Sequence, residues 1–198
     1  MATSSCSPVT CVGTLTDAFY FKVGAAGTDV VDDSFNISKH SLPSCWVQSK
    51  DNKFLLLNSE HQFQVQNLTS QQLNQPECKF KIQIYFDFER GGEEKRNAAM
   101  LYVKSEGKNV VACCSQEHAV HAEDMEVLPI HIEETHHKAL FYMTELTPSH
   151  TYEFESSAYP SRFLGFEPDG CDPSLVKLVL HEKAKDEVDE SCHVILCR

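Results

Sequence analysis

Phe154-Glu155-Ser156-Ser157-Ala158-Tyr159-Pro160-Ser161-Arg162-Phe163-Leu164-Gly165-Phe166 is the stretch on which the fold turns. It reads as strand, short connection, strand. Phe154 and Phe163 are placed to enter a core from adjacent strands, while Pro160 removes a backbone donor and fixes the connection between them. Their work is architectural, so they point to a fold and name no active site.

Outward from this stretch, the chain from Ser44 onward consists of short apolar runs separated by polar turn clusters, with little period near 3.6. The clearest strand is Phe80 to Phe88, in which Phe80, Ile82, Ile84, Phe86 and Phe88 share one face by alternation. Its other face is mostly polar, which predicts a sheet wetted on one side. Lys53 to Leu57 and Gln62 to Gln66, joined by Asn58-Ser59-Glu60, form a hairpin candidate. Arg90 to Glu94 is a loop by composition, and Ser70 to Leu73 has room for a single helical turn.

A weak repeat organises these strands. Lys53 to Leu57, Lys108 to Cys113 and Arg162 to Phe166 each follow a polar turn and precede a second apolar strand, at Phe63 to Leu68, Met125 to Leu128 and Leu175 to Leu180. Leu55 to Val111 spans 56 positions and Val111 to Leu164 spans 53. Three near-equal four-strand units predict an all-β, twelve-stranded β-trefoil with three pseudo-symmetric lobes, whose closure removes exposed sheet edges. A β-sandwich is the alternative that spacing alone leaves open.

The stretch from Glu153 to Leu164 resembles the C-terminal signature of the interleukin-1 cytokine family: Phe-x-Ser, a small residue, two positions, Pro, two more and an aromatic-aliphatic pair. Phe154, Ser156, Ser157, Pro160, Phe163 and Leu164 fit it. Ser41 to Leu68 looks like the family's first two strands, Gly107 to Val127 like its central hairpin, and Cys192 to Cys197 like its closing strand. The resemblance covers about residues 40 to 198 and implies the same trefoil. Gly165-Phe166, where the family has a small residue and Thr, and Arg162, where it commonly has Trp, mark a divergent member.

That resemblance implies a cytokine that binds an immunoglobulin-like receptor ectodomain, recruits an accessory chain if it is an agonist, and acts as a monomer. It places the receptor face near the first strands, with Gln48, Asp51, Asn67 and Thr69 as candidate contacts. A receptor antagonist of the same family is the nearest alternative, to be separated by the loops Arg90 to Arg96 and Glu133 to Lys138. A trefoil carbohydrate-binding module is the alternative from another class, for which the single Trp46 is poor support.

Residues 1–40 read as a flexible leader or pro-segment and 41–198 as the trefoil domain: the first part has small residues, few large apolar side chains outside Ala18 to Val23, and the acids Asp29, Asp32 and Asp33. A short strand or helix at Phe19 to Val23 is the other reading of that run. Leaderless members of the family are often cut after Asp, which makes Asp29 and Asp33 the candidate processing positions. MATSSCSPVTCVGTL has no basic n-region and no apolar run of signal length, so the expectation is a cytoplasmic precursor, extracellular after non-classical release. Asn36-Ile37-Ser38 and Asn67-Leu68-Thr69 then go unglycosylated.

The formal net charge of −12 opposes nucleic acid and anionic lipid and suits a basic protein surface. No run approaches the roughly 18 apolar residues of a membrane helix. Nine cysteines, an odd and irregularly spaced set, read as reduced thiols, with Cys45, Cys113, Cys114, Cys192 and Cys197 as small buried hydrophobes. Cys113, Cys114, His118 and His121 have the elements of a zinc site, but adjacent strand residues point to opposite faces. His136 and His137 read as solvated loop residues. No nucleophile elbow, phosphate loop or supported carboxylate pair is present, and the expectation is no enzyme, no cofactor and no metal.

Overall fold

The computed structural model describes residues 9–15, 18–23, 35–87, 97–117, 119–133, 136–147, 150–170 and 175–197. The chain divides into two units, Met1–Val31 and Asp32–Arg198. In the first, β1 (Val9–Leu15) pairs antiparallel with β2 (Ala18–Val23), the register slipping between Cys11 and Gly13. The strand reading of Phe19 to Val23 falls within β2. Asp29 and Asp33 lie outside the described residues.

The second unit runs β3 (Phe35–Gln48), β4 (Phe54–Leu57), β5 (Phe63–Gln66), α1 (Ser70–Leu73), β6 (Phe80–Asp87), β7 (Asn97–Ser105), β8 (Lys108–Cys114), β9 (Val120–Met125), β10 (His131–Ile132), β11 (Phe141–Thr147), β12 (Thr151–Ser156), β13 (Arg162–Pro168), β14 (Val176–Glu182) and β15 (Val194–Cys197). Single 3-10 turns stand at Pro76–Cys78 and Glu190–Cys192. Because β3 starts at Phe35, whose ring is buried, residues 35 to 40 belong to the sheet. Asn36, Ser38 and Lys39 dilute the apolar signal of Phe35 and Ile37, which is why composition puts the boundary later.

β3 pairs with β6, β6 with β7, β7 with β11, β11 with β12, β12 with β15, and β15 returns to β3, so the sheet closes on itself. Closure leaves these strands without a free edge. The short strand β10, paired with the start of β3, and the hairpins β4–β5, β8–β9 and β13–β14 complete the sheet, and the hairpins meet where Val65 faces Val176 and Ala119 bridges Val179. The three repeat strands read from spacing are therefore β4, β8 and β13. The partner of β8 differs from expectation: it is the mixed run Val120 to Met125, and Glu126 to Leu128 of the more apolar stretch form a loop.

The main core gathers Leu55, Phe80, Ile82, Leu101, Phe154 and Leu164 with their neighbours. Phe80, Ile82 and Ile84 enter it as alternation predicts, whereas Phe86 is exposed and Phe88 lies outside the described residues. The opposite face of β6 is not wet, contrary to the sequence expectation. Tyr85 lies in a second core with Phe35, Met100, Ile132 and Leu140, and Gln83 is buried with its Nε2 donating to the Ser38 carbonyl at 2.9 Å and the Ile84 carbonyl at 3.1 Å. A second layer covers that face, and its polar members are hydrogen-bonded as burial requires. Truncating a wholly buried ring such as Phe80 to Ala would cost about 3–5 kcal/mol.

Candidate functional site

The four candidate contact residues fall on two neighbouring connections. Gln48 ends β3, facing Phe54 of β4 on one side and Ile195 of β15 on the other. Its amide is held at both ends: Nε2 donates to Asn52 Oδ1 at 3.0 Å, and Cys197 Sγ donates to its Oε1 at 3.0 Å. The turn beyond it closes through Ser49 N to Lys53 O at 2.8 Å and Asn52 N to Ser49 O at 3.1 Å. Asn52 has a φ of 59°, a left-handed conformation that Asn tolerates better than most residues. Asp51 stands exposed on this turn.

Phe54 faces Gln66 as well as Gln48, so a cross-strand row Gln48–Phe54–Gln66 leads directly to Asn67. Thr69 caps α1: its hydroxyl accepts from Gln72 N at 3.4 Å, while Thr69 N donates to Gln72 Oε1 at 2.9 Å, a reciprocal capping box. Trp46 Nε1 donates to the Leu73 carbonyl at 2.7 Å and fastens the end of α1 to β3. Gln48, Asp51, Asn67 and Thr69 thus share one region. Their roles differ, because the Gln48 amide and the Thr69 hydroxyl are engaged in holding the scaffold, whereas Asp51 and Asn67 are exposed; Thr69 is exposed as well. Asn52 and Gln72 shape the same surface and were not singled out from sequence, while Trp46, weighed there only as a sugar-binding aromatic, shapes it too; S/T-x-x-Q at Thr69–Gln72 is the signal that marks Gln72.

The signature residues sit in and beside the core. Phe154 and Leu164 enter the main cluster, Ser156 is buried with its hydroxyl 3.5 Å from Cys114 Sγ, and Pro160 is exposed in the turn. Phe163 is buried but departs from the expected arrangement. It faces Glu155 and His181 across β12 and β14, away from the side that Leu164 and Phe166 take, and Lys183 Nζ lies 4.3 Å from its ring centroid. Alternation along β13 is the reason. On this side Lys183 Nζ pairs with Glu153 at 3.0 Å, and Lys185 reaches Glu155 at 3.6 Å.

Cys113 and Cys114 separate as adjacent strand residues must, Cys114 into the main core and Cys113 into the second. Burial pushes the Cys113 thiol up to about 12 and the Cys114 thiol up to about 11, so neither is a ready metal ligand or nucleophile. His118 lies outside the described residues, and among those described no group of three His, Cys, Asp or Glu side chains is arranged to hold a metal. Cys45 is also buried, Cys78 and Cys192 are free and buried in 3-10 turns, and Cys197 is half-buried. His136 and His137 are not merely solvated: His136 Nδ1 lies 2.8 Å from the Ser157 carbonyl, and the His137 backbone bonds the Ser157 hydroxyl. Arg90 to Arg96 lies outside the described residues.

A groove of about 460 Å³ opens where the hairpins meet, lined by Phe63, Val120, Leu180 and His181 and edged by Glu117 and Glu167. It presents shape and charge rather than a reacting group.

No family model matches the sequence, and no curated protein matches it. Solved structures do. Chicken interleukin-1 beta aligns at 17% identity with a TM-score of 0.57, over 83% of this chain and 99% of that one. A hydrophobic cavity mutant of chicken interleukin-1 aligns at 19% with a TM-score of 0.58, over 83% and 99%. A mosquitocidal holotoxin aligns at 13% with a TM-score of 0.50, over 77% of this chain and 17% of the toxin. The likeness establishes the fold: an all-β, closed barrel-like sheet of the kind interleukin-1 beta has. Because a toxin segment shares it, function has to be argued from the surface.

Proposed function

We propose that this chain is a receptor-binding cytokine of the interleukin-1 type, built as a twelve-stranded β-trefoil. Its lobes would be β3 to β6, β7 to β9 with β11, and β12 to β15, each contributing two strands to the closed ring and one hairpin to its end. One observation carries the reading. The segment that resembles the interleukin-1 signature lies where its chemistry is structural, with Phe154, Ser156 and Leu164 buried in a barrel that aligns with interleukin-1 beta over 83% of the chain.

The chain acts by occupying an immunoglobulin-like receptor ectodomain, without catalysis or cofactor, and as a monomer. Asp51 and Asn67 contact the receptor from the β3–β4 turn and the β5–α1 connection, Gln48 and Thr69 holding those connections in shape. The acidic balance suits a basic receptor surface. The precursor is cytoplasmic, leaves the cell by a non-classical route, and is trimmed after Asp29 or Asp33.

Purified full-length protein and a form starting at Ser34 are added to cells carrying an inflammatory reporter, with and without a known agonist. Activation identifies an agonist, and suppression of the added agonist identifies an antagonist. No effect in either arm, together with no binding to any receptor ectodomain, defeats the proposal.

A further inference from the structure

Val127 and Ile130 are 77% and 70% exposed and lie three positions apart on the loop Glu126 to Ile130, between β9 and β10. A single exposed apolar residue, such as Val188, is ordinary on a protein surface. A pair on one short loop is different when the loop is prevented from folding them inward, and this loop is held along its length. Asn109 Nδ2 donates to the Met125 carbonyl at 3.2 Å and the Glu126 carbonyl at 3.3 Å. The Tyr85 hydroxyl donates to the Pro129 carbonyl at 2.9 Å, and Ile37 N donates to the Ile130 carbonyl at 2.8 Å.

The side chains around the exposed pair complete the restraint. Met125 and Leu128 pack on the second core, and Pro129 fixes its own φ. Tyr85 is fully buried, and burial pushes its phenol up, so it stays the donor at any working pH. Leu128 points inward while Val127 and Ile130 remain in water on a backbone already in place. Apolar anchors presented this way lose little freedom on binding, which is how preformed surfaces gain affinity. Charge says what surrounds the complementary pocket. Glu126 stands exposed at the start of the loop and Glu133 just beyond β10, three positions past its end, on a chain of net charge −12.

We propose that the Glu126–Ile130 loop is a preformed contact patch whose Val127 and Ile130 side chains enter an apolar pocket with a basic rim on a receptor ectodomain. The inference rests on the cytokine reading and adds to it a surface apart from Gln48, Asp51, Asn67 and Thr69.

The test measures binding of the full chain to a panel of interleukin-1-type receptor and accessory-chain ectodomains, for wild type, V127S/I130S, and the conservative V127I/I130V. Both altered side chains are exposed, so unfolding midpoints should be unchanged. The expected result is on the order of a 10- to 100-fold loss of affinity in V127S/I130S, retained binding in V127I/I130V, and slower association for E126K/E133K. Wild-type affinity in V127S/I130S overturns the inference and leaves the cytokine reading standing. So does a wild-type self-association, seen by sedimentation, that V127S/I130S abolishes, because a second copy would then be the occupant. Absence of wild-type binding to every ectodomain removes the cytokine reading and the stated partner together.

Discussion

The Ser157 hydroxyl donates to the His137 carbonyl at 2.9 Å and accepts from the His137 amide at 3.2 Å, so one buried side chain closes both backbone groups of a residue twenty positions away. The Ser157 amide adds a bond to the Leu140 carbonyl at 3.0 Å. The signature serine thereby fixes the approach to β11. Ser157→Ala would leave two backbone groups of His137 without this partner and should cost about 1–3 kcal/mol. Urea unfolding reads the loss, and amide exchange should show it concentrated at 136–140.

The buried ion pair behind β13 should be worth more when broken than when replaced. Lys183 and Glu153 side chains are 1% and 11% exposed, and Lys183 Nζ also donates to the Glu187 carbonyl at 2.9 Å. Lys183→Met strands the Glu153 carboxylate and is expected to destabilise by about 3–5 kcal/mol. Lys183→Met with Glu153→Leu should recover most of that loss, and a double-mutant cycle in urea measures it.

Gly165 makes room for His181. A Cβ at position 165 would lie 2.4 Å from His181 Cδ2, closer than side chains pack. Any side chain here would have to displace the His181 ring. Gly165→Ala should cost about 1–3 kcal/mol by overpacking. In a His181→Ala background the same change should cost much less, and failure of that rescue in thermal unfolding would refute the contact.

Acid should weaken the joins that β9 makes with its neighbours. Glu123 is held below the usual carboxylate range, first by the Lys138 ammonium and then by His121, against the opposing effect of desolvation. Asp124 is held low first by His61, at 2.7 Å, and then by Lys108. A carboxylate depressed in the folded state stabilises it above the ordinary carboxylate pKa and loses that contribution as pH falls through the folded value. The unfolding midpoint should therefore drop between about pH 5 and pH 3, and less so in Glu123→Gln with Asp124→Asn.

What the sequence showed follows from the range of the forces involved. Alternation at Phe80, Ile82 and Ile84, the hairpin at Phe54 to Gln66 and the turn at Ser70 are local, and all three are present in the structure. The layer over Tyr85 and Gln83 was hidden, because residues distant in sequence such as Phe35 and Leu140 build it. β9 was misplaced since Val120-His121-Ala122-Glu123-Asp124 is stabilised by cross-strand pairing and ion pairs rather than by apolar content. The scaffolding role of Gln48 was equally invisible, resting on Asn52 and Cys197, whereas that of Thr69 is marked locally by Gln72 three positions on.

In the proposed function this barrel binds an interleukin-1-type receptor through the β3–β4 turn and the β5–α1 connection. The most direct test is a binding titration of the form starting at Ser34 against a panel of those ectodomains, run in parallel with Asp51→Ala and Asn67→Ala. One-to-one binding to at least one ectodomain at micromolar or tighter affinity is expected, weakened by about 1 kcal/mol or more in one or both variants. A folded wild-type protein that binds none of the ectodomains would contradict it.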